Sequence, residues 1–254
     1  MIKDCPKDST ELNGIKYEWL GQSTMRITAR GVTIYTDPVM LDENPPKADL
    51  IFITHHHVDH CLPEFVERLR EERTKLVAFH PAYVQHCAHD IKGVRTVNIG
   101  QTIELSGQTA GPAGVRITGV EAYTKRGFHS RGEGCGFLIE MAGQRIWFSG
   151  DTARTPEMEG LKDIDAAIVS ICDNIGAINP MDIVEAVKEI KPRLFIPVHY
   201  TPPGALDPVV KEGLIATKDP RFFTKKTDPL KLAPHFEGTG IDYAVLKMLS
   251  SYTP

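Results

Sequence analysis

Leu50-Ile51-Phe52-Ile53-Thr54-His55-His56-His57-Val58-Asp59-His60 is the stretch from which the fold can be read. Its first four residues are apolar, β-branched or aromatic, and bounded by polar ones, the pattern of a short buried strand. The histidines then emerge at that strand's carboxyl end, where open α/β sheets place their ligands. In an extended segment the period of two puts His55 and His57 on one side and His56 on the other. Two imidazoles on one side can grip a single cation. Asp59 and His60, where the chain turns, can reach a second one nearby. Imidazole plus carboxylate suits zinc, manganese or iron, without the thiolates of a closed structural site.

A solvated His-rich loop is the bland alternative. Three further stretches argue against it. Gly150-Asp151-Thr152 follows the apolar run Ile146-Trp147-Phe148, and Pro197-Val198-His199-Tyr200 follows Leu194-Phe195-Ile196. His129 lies between two strand-like runs, ahead of Gly132-Glu133-Gly134-Cys135-Gly136-Phe137. Each offers a ligand at or near a strand end.

In this order, His55-x-His57-x-Asp59-His60, His129, Asp151 and His199 resemble the metallo-β-lactamase superfamily. More narrowly, the chain is similar to the hydrolase branch that includes ascorbate-6-phosphate lactonase and N-acyl-phosphatidylethanolamine phospholipase D. Trp19-Leu20-Gly21, Thr36-Asp37-Pro38, Gly134-Cys135-Gly136-Phe137 and Pro197-Val198-His199-Tyr200 support the likeness. Many relatives in that branch follow Trp-Leu-Gly with His, where this chain has Gln22. The resemblance implies an α/β fold, a four-layer αββα sandwich built from two β-rich halves. It implies one metal held by His55, His57 and His129, and another held by Asp59, His60 and His199. Asp151 would bridge them, since a carboxylate has two oxygens for two cations.

Such a site activates a water between two divalent ions, zinc in the first place and manganese or iron as alternatives. Asp59, or a shuttling water, would then protonate the leaving group. The expected reaction is hydrolysis of a lactone or carboxylic ester. The alternatives are a phosphodiester of a nucleotide or lipid headgroup, or a metal-loaded binding protein without turnover. A small-molecule substrate, expected to be an anion, would meet Arg126, Arg131, Tyr200, Phe222 and Lys225. Neither a nucleophile-elbow serine nor a phosphate-cradling Gly-Lys-Ser loop is present.

The 254 residues, 41% hydrophobic, suffice for one domain spanning 1–254. A net charge of -4 gives no general reason to expect nucleic-acid binding. No apolar run approaches the ~20 residues of a membrane span. No secretory signal is visible at Met1-Ile2-Lys3-Asp4-Cys5-Pro6, and the five cysteines show no paired spacing. A cytoplasmic protein without a disulfide framework is therefore expected, its oligomeric state open. Cys61, beside His60, reads as a small buried residue rather than a ligand.

In chain order, residues 1–14 read as loose and the apolar runs from Ile15 to Phe79 as strands around a helix from Leu62 to Glu72. A further helix is expected from about Pro81, carrying His86 and His89. After a Gly-rich stretch near 107–114 the β-to-α progression restarts, with a helix over Asp182 to Ile190. Residues 201–240, rich in proline and holding Phe222, Phe223, Lys225 and Lys226, are expected to fold irregularly over the site. Asp242 to Leu249 is expected to close a sheet edge.

Overall fold

Successive residues of a strand face opposite sides, and the strand before the histidines uses both. Leu50 and Phe52 of β5 (Leu50–Ile53) enter the main core, while Ile51 and Ile53 pack with Phe65, Val66 and Leu69 of α1 (Pro63–Leu69). A strand buried on both faces is why the run is continuously apolar. The computed structural model describes residues 6–80, 92–106, 114–125, 129–173, 177–201 and 227–249.

The first sheet runs in sequence order: β1 (Thr10–Leu12), β2 (Ile15–Gly21), β3 (Thr24–Ala29), β4 (Val32–Thr36), β5, β6 (Lys75–Phe79) and β7 (Val94–Val97). The second comprises β8 (Thr102–Leu105), β9 (Val115–Ala122), β10 (Gly134–Met141), β11 (Gln144–Phe148), β12 (Ala166–Ser170), β13 (Leu194–Val198) and β14 (Asp242–Tyr243). In each sheet the first four strands pair antiparallel and the last four parallel. The two halves thus repeat one topology without a visible sequence repeat. Phe52 of the first sheet meets Phe137 of the second with ring centroids 5.6 Å apart. Outside the second sheet, α2 (Pro180–Ile190) buries Ile183, Val184, Val187 and Ile190. Asn179 caps it, accepting the Met181 N–H at 3.0 Å, and Lys191 ends it in a left-handed conformation. The result is the expected αββα layering.

Three differences from the expectations have local causes. Residues 10–12 are an edge strand rather than loose chain. The missed signal is Asn13-Gly14, whose φ angles of 49° and 79° make the two-residue turn that the twist of a hairpin favours. Cys61 is buried but disulfide-bonded, whereas Cys135 and Cys172 carry no disulfide; irregular spacing excluded a framework, not a single bridge. In the proline-rich segment, the described turns Pro229–Lys231 and Ala233–Phe236 do not cover the histidines. Phe236 packs on Phe195 at 5.1 Å and on Tyr243 at 4.9 Å, toward the end of β13 opposite His199. Apolar Leu232, Ala233 and Phe236 draw these turns into the core. Asp242–Tyr243 does close the second sheet's edge, parallel to β13. The helix expected from Pro81 with His86 and His89, together with Arg126, Phe222, Phe223, Lys225 and Lys226, lies outside the described residues.

Candidate metal centre

The carboxyl ends of the parallel strands in both sheets deliver the polar residues to one place. Below the histidine loop lies Asp37, fully buried just past β4. Its Oδ1 accepts the Thr54 backbone N–H at 2.8 Å, and its Oδ2 accepts the Thr54 hydroxyl at 2.7 Å and His60 Nδ1–H at 2.8 Å. With the Thr54 hydroxyl proton spent on Asp37, His55 Nδ1–H donates to Thr54 Oγ1 at 2.9 Å. In the neutral form of each ring these bonds keep the proton on Nδ1 and leave Nε2 for a cation. Asp37 is therefore the acceptor that orients two ligand candidates, one directly and one through Thr54. The loop turns because the His57 carbonyl accepts both the His60 and Cys61 N–H groups at 2.9 Å.

The second half supplies the rest. Thr124 holds the His129 main chain from both sides, its N–H donating to the His129 carbonyl at 3.0 Å and its Oγ1 accepting the His129 N–H at 3.2 Å. Gly134 and Gly136 are required by close approach: a Cβ on Gly136 would stand 2.7 Å from the Ser149 carbonyl oxygen, and one on Gly134 2.8 Å from that of Ala122. The strand can then pass tightly beside Ser149-Gly150-Asp151. His199 leaves β13 at φ 59°, its N–H donating to the Gln22 carbonyl at 2.8 Å. That same carbonyl accepts Trp19 Nε1–H at 2.8 Å. Gln22 thus supports His199 through its main chain.

Ring centroids of His55, His57 and His129 lie 4.2–4.8 Å apart. Those of His60 and His199 are 4.9 Å apart, and Asp59 Oδ2 is 3.3 Å from His199 Nε2. Asp151 Oδ2 lies 3.5 Å from His60 Nε2 and its Oδ1 3.6 Å from His199 Nδ1, and its link to the first group is the ligand set that it forms with His55 and His60. Three sets have ligand atoms mutually within 4.8 Å: His55, His57 and His129; His55, His60 and Asp151; Asp59, His60 and His199. All seven residues picked from the sequence come together.

The electrostatics suit cations. Burial, joined by the neighbouring His60 and His129, pushes His55 well below the usual imidazole range; burial also lowers His57 and brings His129 down to about 4. At His60 burial acts the same way but is outweighed by the charges of Asp151 and Asp59, which hold it well above that range. Asp151 is held well below the carboxylate range, its burial overcome by His199 and His60. Nε2 of His55 and of His60, both ring nitrogens of His129, Nδ1 of His199 and Oδ1 of Asp151 are buried without hydrogen-bond partners. Leaving each such atom unpaired costs about 1–3 kcal/mol, and a divalent ion satisfies several at once. The donor set therefore fits metal ions, with imidazole and carboxylate ligands and no thiolate, Cys61 being committed to its disulfide.

The substrate contacts expected from the sequence fare differently. Tyr200 is a core residue, stacked on Trp19 at 4.4 Å with its hydroxyl donating to the Leu246 carbonyl. The aromatic body after a ligand histidine packs inward because β13 is buried on both faces. Arg131 is paired with Glu121 and Glu157, and Lys125 with Asp182 at 3.0 Å. Thr54, Thr124 and the Gln22 carbonyl were not legible as supports. Only Thr54, directly before the first histidine, carried even a positional signal.

A histidine-carboxylate centre at the strand ends of an αββα sandwich defines a class, and the comparisons agree with it. The model of the Beta-lactamase superfamily domain matches residues 16–199, and the chain belongs to that superfamily. Among its relatives, a "UPF0173 metal-dependent hydrolase" of Thermococcus onnurineus (strain NA1) is 31% identical over 237 residues, covering 86% of this chain and 100% of that one. Of solved structures, a metal-dependent hydrolase from Parabacteroides distasonis ATCC 8503 superposes with a TM-score of 0.71 at 24% identity, over 94% of this chain and 98% of that one. Igni18, a metallo hydrolase from Ignicoccus hospitalis KIN4/I, gives 0.68 at 20% identity, over 92% and 95%. The protein is a metal-dependent hydrolase. No helix among the described residues is long and apolar enough to cross a membrane.

Asp37→Asn keeps the side chain's size but turns one of two acceptor oxygens into a donor, which must then face at least one of the three donors now bonded there. Metal affinity should fall about 10–100-fold, the usual effect of losing a ligand's supporting partner, in competition with a chelating dye. Unchanged affinity would show that Asp37 does not orient the ligands.

The lowered histidines make the metal-free protein acid-sensitive. An unfolded imidazole takes up its proton near pH 6.5, while His129 in the fold resists to about 4. The stability it contributes above pH 6.5 is thus lost progressively as pH falls toward 4. His60, raised in the fold, is protonated in both states below pH 6.5 and adds no slope there. Melting curves of the metal-free protein should show Tm falling across that window; a flat profile would contradict these environments.

Proposed function

We propose that the protein is a dinuclear metal hydrolase acting on a small lactone or carboxylic ester. The observation that carries this reading is the placement of Asp151, which faces His60 and His199 of one group and shares a ligand set with His55 of the other. It is supported by the sharing of His55 and His60 between neighbouring ligand sets, which exceed what one ion can use. Zinc fits the donor set best, with manganese and iron as the other hard or borderline choices.

When bound, two divalent cations lower the pKa of a water and polarise the scissile oxygen. His55, His57 and His129 present neutral imidazoles to one position, and Asp59, His60 and His199 serve the other. Asp59, with its Oδ2 beside His199 Nε2, would take the proton that the water gives up and pass it to the leaving alkoxide. Val58, 46% exposed between His57 and Asp59, offers an apolar surface at that point. An uncharged acyl group is favoured over a phosphodiester because Lys125 and Arg131, near His129 in sequence, already neutralise carboxylates. An anionic substrate would have to draw on other cations.

Asp151→Ala should release one metal ion per chain and lower turnover by about 100-fold or more, while circular dichroism stays native. Wild-type enzyme, assayed with lactones, p-nitrophenyl acetate and bis(p-nitrophenyl) phosphate, should turn over the acyl compounds faster. Full activity in the variant would remove Asp151 from the centre. Faster phosphodiester cleavage would replace the acyl reading with the phosphodiesterase one.

A further inference from the structure

His129 differs from the other ligand candidates in its support. His55, His57, Asp59 and His60 share one short loop anchored by Asp37, and His199 directly ends a core strand. His129 instead sits between β9 and β10, and among the described residues Thr124 holds its main chain. Two residues on, Arg131 makes a set of contacts that close this turn onto two other parts of the molecule.

Arg131 Nε donates to Glu121 Oε2 at 3.2 Å, and the next backbone N–H, of Gly132, donates to Glu121 Oε1 at 3.0 Å. Glu121 lies on β9 and its side chain is only 9% exposed. The other arm of the guanidinium donates to Glu157 Oε1, on the 3₁₀ turn Pro156–Gly160 that follows Asp151 in the chain. The Arg131 Cζ also rests 5.9 Å from the centre of the Tyr123 ring. Tyr123 in turn donates its hydroxyl to Glu157 at 3.3 Å, and its carbonyl accepts the Ala153 N–H at 2.8 Å. One cation therefore ties the His129 turn to the strand before it and to the segment that carries Asp151.

We propose that Arg131 is a positioning residue for the metal centre: a latch that holds the His129 turn against the Asp151 segment, rather than a contact for the substrate. This rests on the reading of His129 as a metal ligand. The fork of a guanidinium engages two carboxylates at once, which an ammonium cannot do with the same geometry. Without it Glu121 and Glu157 each lose their cationic partner, and the turn loses its tie to the Asp151 side. Because the Arg131 side chain is 67% exposed, added salt screens the latch, whereas the buried ligand contacts are screened far less.

The test compares Arg131→Gln, Arg131→Lys and His129→Ala with the wild type, all full-length and zinc-loaded. Zinc affinity and stoichiometry are read by chelator competition at about 0.05 and 0.5 M NaCl, where the Debye length shrinks severalfold. Arg131→Gln should weaken one of the bound ions about tenfold and leave the other unchanged. The lysine variant should recover part of the loss. Wild-type affinity for that ion should fall with salt, and that of Arg131→Gln should not. His129→Ala should weaken the same ion more severely. If His129→Ala leaves zinc binding intact, the ligand reading itself fails. If His129→Ala weakens an ion but Arg131→Gln does not, or if Arg131→Gln changes only KM, the latch is overturned.

Discussion

The centre depends on one buried carboxylate that is not itself a candidate ligand. Asp37 accepts three hydrogen bonds, two from Thr54 and one from His60. Through them it fixes the start of the histidine loop, the ring of His60 and, by way of the Thr54 hydroxyl, the ring of His55. A buried imidazole can turn over or change tautomer, and either would aim a proton where a lone pair is needed. Placing an anion in the core is unfavourable unless it is fully hydrogen-bonded. Asp37 meets that condition only because β4 and β5 run parallel and end side by side, with the Asp37 N–H donating to the Phe52 carbonyl at 2.8 Å.

The rest of the architecture concentrates unfavourable features in the same place. Asp37, Gln22 and His199 all adopt left-handed φ angles of 40°, 48° and 59° without being glycine. Such conformations cost about 1–3 kcal/mol each and persist only when the surroundings over-determine them. Here the main chain does so: His199 is bonded to Gln22, and Thr24 Oγ1 donates to the Asp37 carbonyl at 2.7 Å. The strained residues link to one another and to the two sheets. Strain, unpaired ring nitrogens and displaced pKa values converge on a region whose cores, above and below, are otherwise apolar and closely packed. That coincidence is how a scaffold stabilised elsewhere maintains a site poised for cations.

Much of this was legible because the signals are short-range. Alternation in the strands and the period-two spacing of His55 and His57 gave the layers and the loop, and Asp151 and His199 followed from their place after apolar runs. What escaped depends on partners distant in sequence. Arg131 reads as an anion binder until Glu121 and Glu157 are seen to claim it. Tyr200 reads as a site residue until it is found stacked on Trp19. The support from Gln22 is carried by its carbonyl, which every residue possesses, so no side-chain pattern could reveal it. Asn13-Gly14 was a readable hairpin signal, overlooked because its flanking strand is only three residues long.

The central claim is that seven side chains from four segments form one two-ion centre. Anomalous scattering from crystals of the zinc-loaded protein, recorded on either side of the zinc edge, addresses it directly. The account predicts two peaks about 3.5–4 Å apart, one bonded to His55, His57 and His129, the other to Asp59, His60 and His199, with Asp151 touching both. A single peak at full zinc occupancy, or peaks that leave Asp151 unbound, would contradict it.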